Sequence, residues 1–292
     1  MSATLPRSFL YVPGSRPELF AKAYDGPADA LVLDLEDAVP PAGKDAAREA
    51  VTAWLGGLGA ADRTRPEQWV RIDPDHLEAD LDAAVTEALD GVFLAKCTLA
   101  SLHDTAEQLG ALEAERRPGS EPVPVVGLLE SAGALADLAA LAAHPRLTTV
   151  GIGEADLLGE LRMARSEATA AAVDAIRVQV VMACAAAGCA APVAPTSTAF
   201  RDLDAFRTTT RHLRDLGFRS RTAVHPGQLP VIHDVLTPGA DEVAGARDVL
   251  ERFDAAQGGV TVDAEGRMVD AATVRTARET LARHQAAGRR SR

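Results

Sequence analysis

Two carboxylates sit where apolar runs give out. Glu130 ends Val125-Val-Gly-Leu-Leu-Glu130, and Asp156 ends Val150-Gly-Ile-Gly-Glu-Ala-Asp156. If these runs are neighbouring parallel strands, about 5 Å apart, the two side chains can share one ion. Two carboxylates completed by substrate oxygens and water suit Mg²⁺ or Mn²⁺. Zn²⁺ would call for His and Cys, and no His cluster is present. Glu154 is a rival ligand, and Gly151 and Gly153 let the backbone approach an ion closely.

Further charged residues follow other runs. Arg71, in Trp69-Val-Arg-Ile-Asp73, offers a planar fork to a carboxylate or carbonyl oxygen, or else a structural ion pair to nearby acids. In Asp34-Leu-Glu36-Asp37, alternate side chains share a face if the chain is extended. One member orders metal-bound water or Arg71, and the others cap the next helix. Lys96 binds substrate or pairs with Asp34, the two readings standing level. His225, before a proline, reads as a structural hydrogen-bonding residue more than as a base. Arg7 and Arg16 flank Tyr11-Val-Pro-Gly-Ser15 and suggest a seat for a phosphate-bearing ligand such as coenzyme A.

The elements that position these residues alternate along the chain. Short β-prone runs cover residues 8–12, 30–34, 69–72, 91–95, 123–129, 148–152, 189–194 and 222–224. Amphipathic stretches lie between them at 17–24, 43–54, 78–89, 98–115, 135–143, 166–187 and 202–216. Eight strands separated by helices predict a parallel sheet closed into a (β/α)₈ barrel, whose C-terminal strand ends converge on one face. No strand is followed by Gly-x-Gly-x-x-Gly, which argues against an open dinucleotide-binding sheet. Residues 1–237 are expected to form the barrel with its metal site. Residues 238–292 form an appendage of helix, hairpin with a turn at Asp263-Ala-Glu-Gly266, and final helix, too small to fold well alone.

The bulk properties are compatible with this. A chain of 292 residues, 47% apolar and 25% charged, suits one large domain. The net charge of −12, from 42 acidic and 30 basic residues, argues against nucleic acid but leaves room for a small anionic ligand. No apolar run of membrane length lacks charges or breakers, and residues 1–14 do not read as a secretory signal. Three cysteines without metal-like spacing read as free thiols, which points to a reducing cytoplasm.

The segments Arg7-Ser-Phe-Leu-Tyr-Val-Pro-Gly14, Asp34-Leu-Glu-Asp-Ala38, Val70-Arg-Ile72, Glu130-Ser131 and Gly151-Ile-Gly-Glu-Ala-Asp-Leu157 occur in that order. Gly217-Phe218, His225-Pro-Gly-Gln228 and Gly266-Arg-Met-Val-Asp270 complete the series. Together they resemble the citrate lyase β-subunit-like branch of the HpcH/HpaI aldolase family, which includes malyl-CoA and citramalyl-CoA lyases. The resemblance implies a TIM barrel of the phosphoenolpyruvate/pyruvate type, with Mg²⁺ on Glu130 and Asp156 and Arg71 on substrate oxygens. It also implies a small C-terminal lid closing over a neighbour's site in a homotrimer or hexamer, with Asp270 in the position of an acid/base carboxylate. The implied reaction is cleavage of a 3-hydroxyacyl thioester (malyl-CoA, citramalyl-CoA or a citryl thioester) to an α-keto acid, or the reverse.

The chain departs from the family pattern at four places. Ala95-Lys96 replaces Pro-Lys, and Asp73 replaces an Asn, adding negative charge near the site. Ser220-Arg221 replaces Gly-Lys, and residues 191–197 lack the usual Asp-x-Val-Tyr. These changes leave the acyl group open. Malate-synthase-like or thioesterase chemistry, a non-catalytic subunit role and a coenzyme-independent pyruvate aldolase are the alternatives.

Overall fold

The computed structural model describes residues 5–59 and 65–290. Eight strands form a closed barrel: β1 (Ser8–Pro13), β2 (Ala30–Asp34), β3 (Glu67–Ile72), β4 (Gly91–Leu94), β5 (Val125–Leu129), β6 (Leu147–Ile152), β7 (Val193–Ala194) and β8 (Ser220–Ala223). Neighbours pair in sequence order, all parallel, and β8 closes on β1. Helices lie between consecutive strands, so the fold is the expected (β/α)₈ barrel.

The local differences have local causes. The run at 189–194 keeps only Val193–Ala194 as strand, because Pro192 has no N–H for the ladder and Pro195 ends it. The last strand begins two residues upstream of the expected 222–224, at Ser220. The stretch 135–143 divides into helices Ala132–Ala136 and Leu138–Ala142. Within the expected stretch 166–187, residues 167–187 are by length and composition apolar enough to cross a membrane (mean hydropathy 1.6), although they carry Asp174 and Arg177. In this fold they form a barrel helix, with Val173, Val180 and Cys184 buried.

Side chains alternate between the barrel interior and the layer under the helices. Phe9, Ala30, Val32, Trp69, Phe93, Val126, Leu128 and Val193 form one inner cluster, with Tyr11 against it. Phe9, Trp69 and Phe93 meet edge to face with centroids 5.1–5.6 Å apart, each pair contributing about 0.5–1.5 kcal/mol beyond burial. Gly91 is paired with Trp69, where a Cβ would stand 2.3 Å from the indole, so only glycine admits the ring. These aromatics seal the lower end of the barrel. The alternate residues of each strand pack instead with the helices, as Leu31, Leu33, Val70, Ile72 and Leu129 do.

After the barrel, helix Ala240–Ala255 packs on helix Ala271–Arg290, with a two-stranded hairpin, β9 (Thr261–Val262) and β10 (Met268–Val269), between them. The hairpin turn falls at 263–266 as expected. Asp263 accepts from the amides of Glu265 and Arg267, and Gly266 takes a φ of 78°. Arg283 donates to the Leu236 carbonyl, and Arg219 pairs with Glu279, tying the last helix to the barrel.

Candidate functional site

The alternation that fills the barrel also delivers its charges. Trp69 points inward, so Arg71 does, and Val32 is followed at the same parity by Asp34, the register partner of Arg71. Leu128 is followed in the same way by Glu130. The strands that build the aromatic floor therefore end in charge at the upper rim.

Asp34 and Arg71 form a bidentate pair, with Nε and Nη2 donating to the two carboxylate oxygens at 2.7 and 2.6 Å. Arg71 Nη1 lies 3.1 Å from Glu36, whose other oxygen is 2.7 Å from Lys96 Nζ. The Arg71 guanidinium also stacks over Tyr11 at 5.0 Å. Burial opposes the Arg71 charge, but the hydrogen bonds and field of Asp34 outweigh it and hold the group firmly protonated. Of the two readings for the acidic cluster, the ordering of Arg71 is met by Asp34 and Glu36; the capping is not, because the Asp34 carboxylate accepts from the loop amides of Glu36 and Ala38 and the helix starts at Pro41 and Lys44 have no side-chain cap. Lys96 pairs with Glu36, not with Asp34. Asp37 is exposed and lines the cavity above.

Lys44, which the motifs did not single out, is buried and donates to the carbonyls of Leu35 and Glu36 and to Asp73. It pins the loop carrying Glu36. It also neutralises Asp73, so the Asp73 departure does not add an uncompensated charge to the site.

Glu130 is 6% exposed. Its Oε2 accepts from the Lys96 amide at 2.7 Å, Lys96 being one of the few non-glycine residues with positive φ (45°). Among the described residues its Oε1 accepts no hydrogen bond. Burial pushes the Glu130 carboxyl up to about 7; the Lys96 amide opposes this, while the charges of Glu36 and Asp156 add to it. The same burial, with the Glu130 charge beside it, pushes the Cys97 thiol up to about 12, leaving it an inert packing group. Asp156 lies in the first turn of the helix Glu154–Glu160 and, among the described residues, makes no ion pair or hydrogen bond. Gly153 stands between the two acids: a Cβ there would lie 2.3–2.8 Å from Glu130 Cγ, Oε1 and Cδ. No group of three or more His, Cys, Asp or Glu side chains forms a metal cage among the described residues. The pair is thus an incomplete oxygen set, of the kind that leaves positions for substrate and water on a hard cation.

Glu130, Asp156, Asp37, Arg71 and Tyr11 line one side of a cavity of about 380 Å³ at the upper end of the barrel. The other candidates have other partners. Glu154 is not a free metal ligand: its oxygens are taken bidentately by Arg177 at 2.8 and 2.9 Å and again by Arg165. Arg7 and Arg16 do not form one phosphate seat, because the whole of β1 separates them. Arg7 sits at the lower end, its guanidinium on Asp29 and Thr237, and Arg16 pairs with Glu18 on the surface. His225 accepts from the Gly227 amide and stacks on Phe200 at 5.0 Å, a structural role. Asp270 caps the last helix, where the amides of Thr273 and Ala272 hold its carboxyl below the usual range, and it does not line the cavity of its own chain.

The basic side of the cavity, Arg165, Arg177 and Arg221, is not among the sequence-predicted site residues, Arg221 appearing there only as a departure from the family pattern. The available signals were a single arginine in an alanine-rich helix and a charged residue in the middle of a short strand.

Residues 7–226 match the HpcH/HpaI aldolase/citrate lyase family. A (3S)-malyl-CoA thioesterase of Cereibacter sphaeroides (strain KD131) is 32% identical over 284 residues, covering 96% of this chain and 95% of that one. The citrate lyase subunit beta of Escherichia coli (strain K12) is 30% identical, covering 97% and 94%. Among solved structures, the CitE protein of Mycobacterium tuberculosis, in complex with magnesium, acetoacetate and coenzyme A, aligns with a TM-score of 0.72. It is 28% identical and covers 98% of this chain and 100% of that one. With its closed barrel and its ordered motifs, the chain belongs to the HpcH/HpaI aldolase/citrate lyase family.

Proposed function

We propose that this chain is a Mg²⁺-dependent carbon–carbon lyase that splits a 3-hydroxyacyl thioester into an α-keto acid and a shorter acyl thioester, or joins them in reverse. The observation that carries the reading is the Glu130–Asp156 pair, with oxygens left unengaged beside a fixed guanidinium in a cavity closed from below. Five carboxylates (Asp34, Glu36, Asp37, Glu130 and Asp156) face only Arg71 and Lys96 on this side, an excess that favours a cation. Glu130 and Asp156 would hold the ion, and Mn²⁺ would suit the same donors. When bound, it supplies a Lewis acid that polarises the substrate's hydroxyl or keto oxygen.

The chain's own residues supply orientation. Arg71 is locked by Asp34 and Glu36 and meets a carboxylate or carbonyl oxygen without reorganising. The aromatic floor keeps water from entering below. The protein's copies assemble as a homotrimer or hexamer, and residues 238–292 act as a lid over a neighbour's barrel (residues 1–237). The lid brings Asp270 to the thioester's α-carbon, where it moves a proton. The CitE complex with magnesium, acetoacetate and coenzyme A supports the ligand set.

Hydrolysis is the second reading, favoured by the 32% identity to a malyl-CoA thioesterase. Incubating the protein and Mg²⁺ with malyl-CoA and citramalyl-CoA separates the two. Keto acid and acetyl-CoA are expected in equal amounts; free coenzyme A with intact malate would identify a thioesterase, and no turnover would refute both.

Gly153→Ala tests the geometry. The added methyl must displace the Glu130 carboxylate, and loss of one ligand of a metal pair is expected to weaken Mg²⁺ binding at least about tenfold. Circular dichroism should show an unchanged fold. An unaltered Mg²⁺ titration would mean that Glu130 is not a ligand.

A further inference from the structure

The cavity has two poles. Opposite the acids, beyond the two-residue strand β7, it is lined by Arg165, Arg177 and Arg221. Arg165 and Arg177 share Glu154, and Arg177 also holds Asp174. Arg221 has no such partner. It is 3% exposed, and its donors meet only neutral acceptors: the carbonyls of Pro195 and Phe206 and the hydroxyls of Thr209 and Thr210. Its guanidinium lies over the Phe206 ring at 3.9 Å, and among the described residues it forms no ion pair. Burial, with Arg177 and Arg165 nearby, pushes its pKa down to about 9. On the same cavity wall, the Thr196 hydroxyl is buried and, among the described residues, makes no hydrogen bond.

A buried cation without a counter-ion, on one wall with an unsatisfied hydroxyl, is costly unless something with negative charge completes it. Resting on the metal reading above, we propose that Arg221 and Thr196 form a subsite for a second carboxylate on the acid half of the substrate. The keto acid handled by this chain then carries two carboxylates, one toward the Glu130–Asp156 pole and one toward Arg221. Nε and Nη1 of Arg221 are taken by the protein, but among the described residues Nη2 makes no hydrogen bond and is left to donate to a carboxylate oxygen; both poles lie in one cavity of about 380 Å³, sized for a small acid and not for a coenzyme. The Ser220-Arg221 departure and the loss of Asp-x-Val-Tyr in 191–197 are then two parts of one specificity change.

Calorimetric titration of the Mg²⁺-loaded protein with oxaloacetate and with pyruvate, which differ by one carboxylate, tests this. Oxaloacetate is expected to bind at least about tenfold more tightly, the worth of one good charge-assisted contact. Arg221→Met should bring the two acids to near parity and leave pyruvate unchanged. Thr196→Val, which removes a hydroxyl with no protein partner and so spares the fold, should narrow the gap by several-fold. Equal binding of both acids by the native protein, or an undiminished preference in both variants, overturns the subsite alone. So does a result in which Arg221→Met weakens coenzyme A binding and spares the preference, which would assign the arginines to coenzyme phosphates. Failure of pyruvate itself to bind in Mg²⁺ removes the metal reading and the subsite together.

Discussion

Glu130→Gln is expected to raise the melting temperature of the metal-free protein at pH 8 and to abolish its stabilisation by Mg²⁺. The Glu130 carboxyl is pushed up to about 7 in the folded chain, chiefly by burial, from an ordinary value of 4.5. A folded-state value above the unfolded one means that its favourable contribution is complete below pH 4.5 and is lost as pH rises through about 7. At pH 8 the ionised group therefore costs the metal-free fold on the order of 3 kcal/mol. Glutamine keeps an acceptor for the Lys96 amide and removes the charge, recovering part of that cost, roughly 1–2 kcal/mol, or a few degrees in Tm. In the native protein Mg²⁺ must displace the Glu130 proton, so its affinity should rise about tenfold per pH unit below 7 and level off above it. Thermal shifts at pH 6, 7 and 8, with and without Mg²⁺, read all of this. A metal-free variant less stable than the parent, or one that still responds to Mg²⁺, would show that Glu130 is not a destabilised ligand.

Arg71→Met should be the most damaging single change at the site. Asp34 and Glu36 are each 2% exposed, and Arg71 faces both. Its removal leaves two buried carboxylates with only Lys96 nearby, a loss of about 3–5 kcal/mol against a typical total of about 5–15. Arg71→Lys keeps the charge but not the fork and should retain most of the stability while losing at least about a hundredfold in kcat. Denaturant melts at pH 8 with turnover of malyl-CoA test both variants. A Met variant within about 1 kcal/mol of the parent at pH 8 would contradict the account of the cluster.

Much of this site was readable before any coordinates, because period-two alternation carries a side chain's parity past the end of a strand. Arg71, Asp34 and Glu130 follow inward-facing residues of their own strands, and eight alternating runs sufficed to close the barrel. Arg7 shows where local reading fails. It and Arg16 flank one motif, yet the six residues of β1 put roughly 20 Å between their ends. Lys44 escaped notice because it reaches back from the start of a helix to carbonyls that no sequence pattern reports. Glu154 looked like a ligand since its rivals for that carboxylate, Arg165 and Arg177, come from later segments with no periodic link to it. Arg221 is outward-facing by register, being opposite Ser8 where Phe9 is inward. Only the shortness of β7, set by two prolines, lets the cavity reach it.

The aromatic floor of Phe9, Trp69 and Phe93, locked in place by Gly91, also dictates the order of traffic. A blind well with one opening is a last-in, first-out store, so the molecule seated deepest must arrive first and depart last. If the proposed keto acid lies beneath the thioester, the kinetics are expected to be compulsory-ordered in both directions. Spent acyl thioester would then leave before keto acid in cleavage, and keto acid would enter before acyl thioester in condensation.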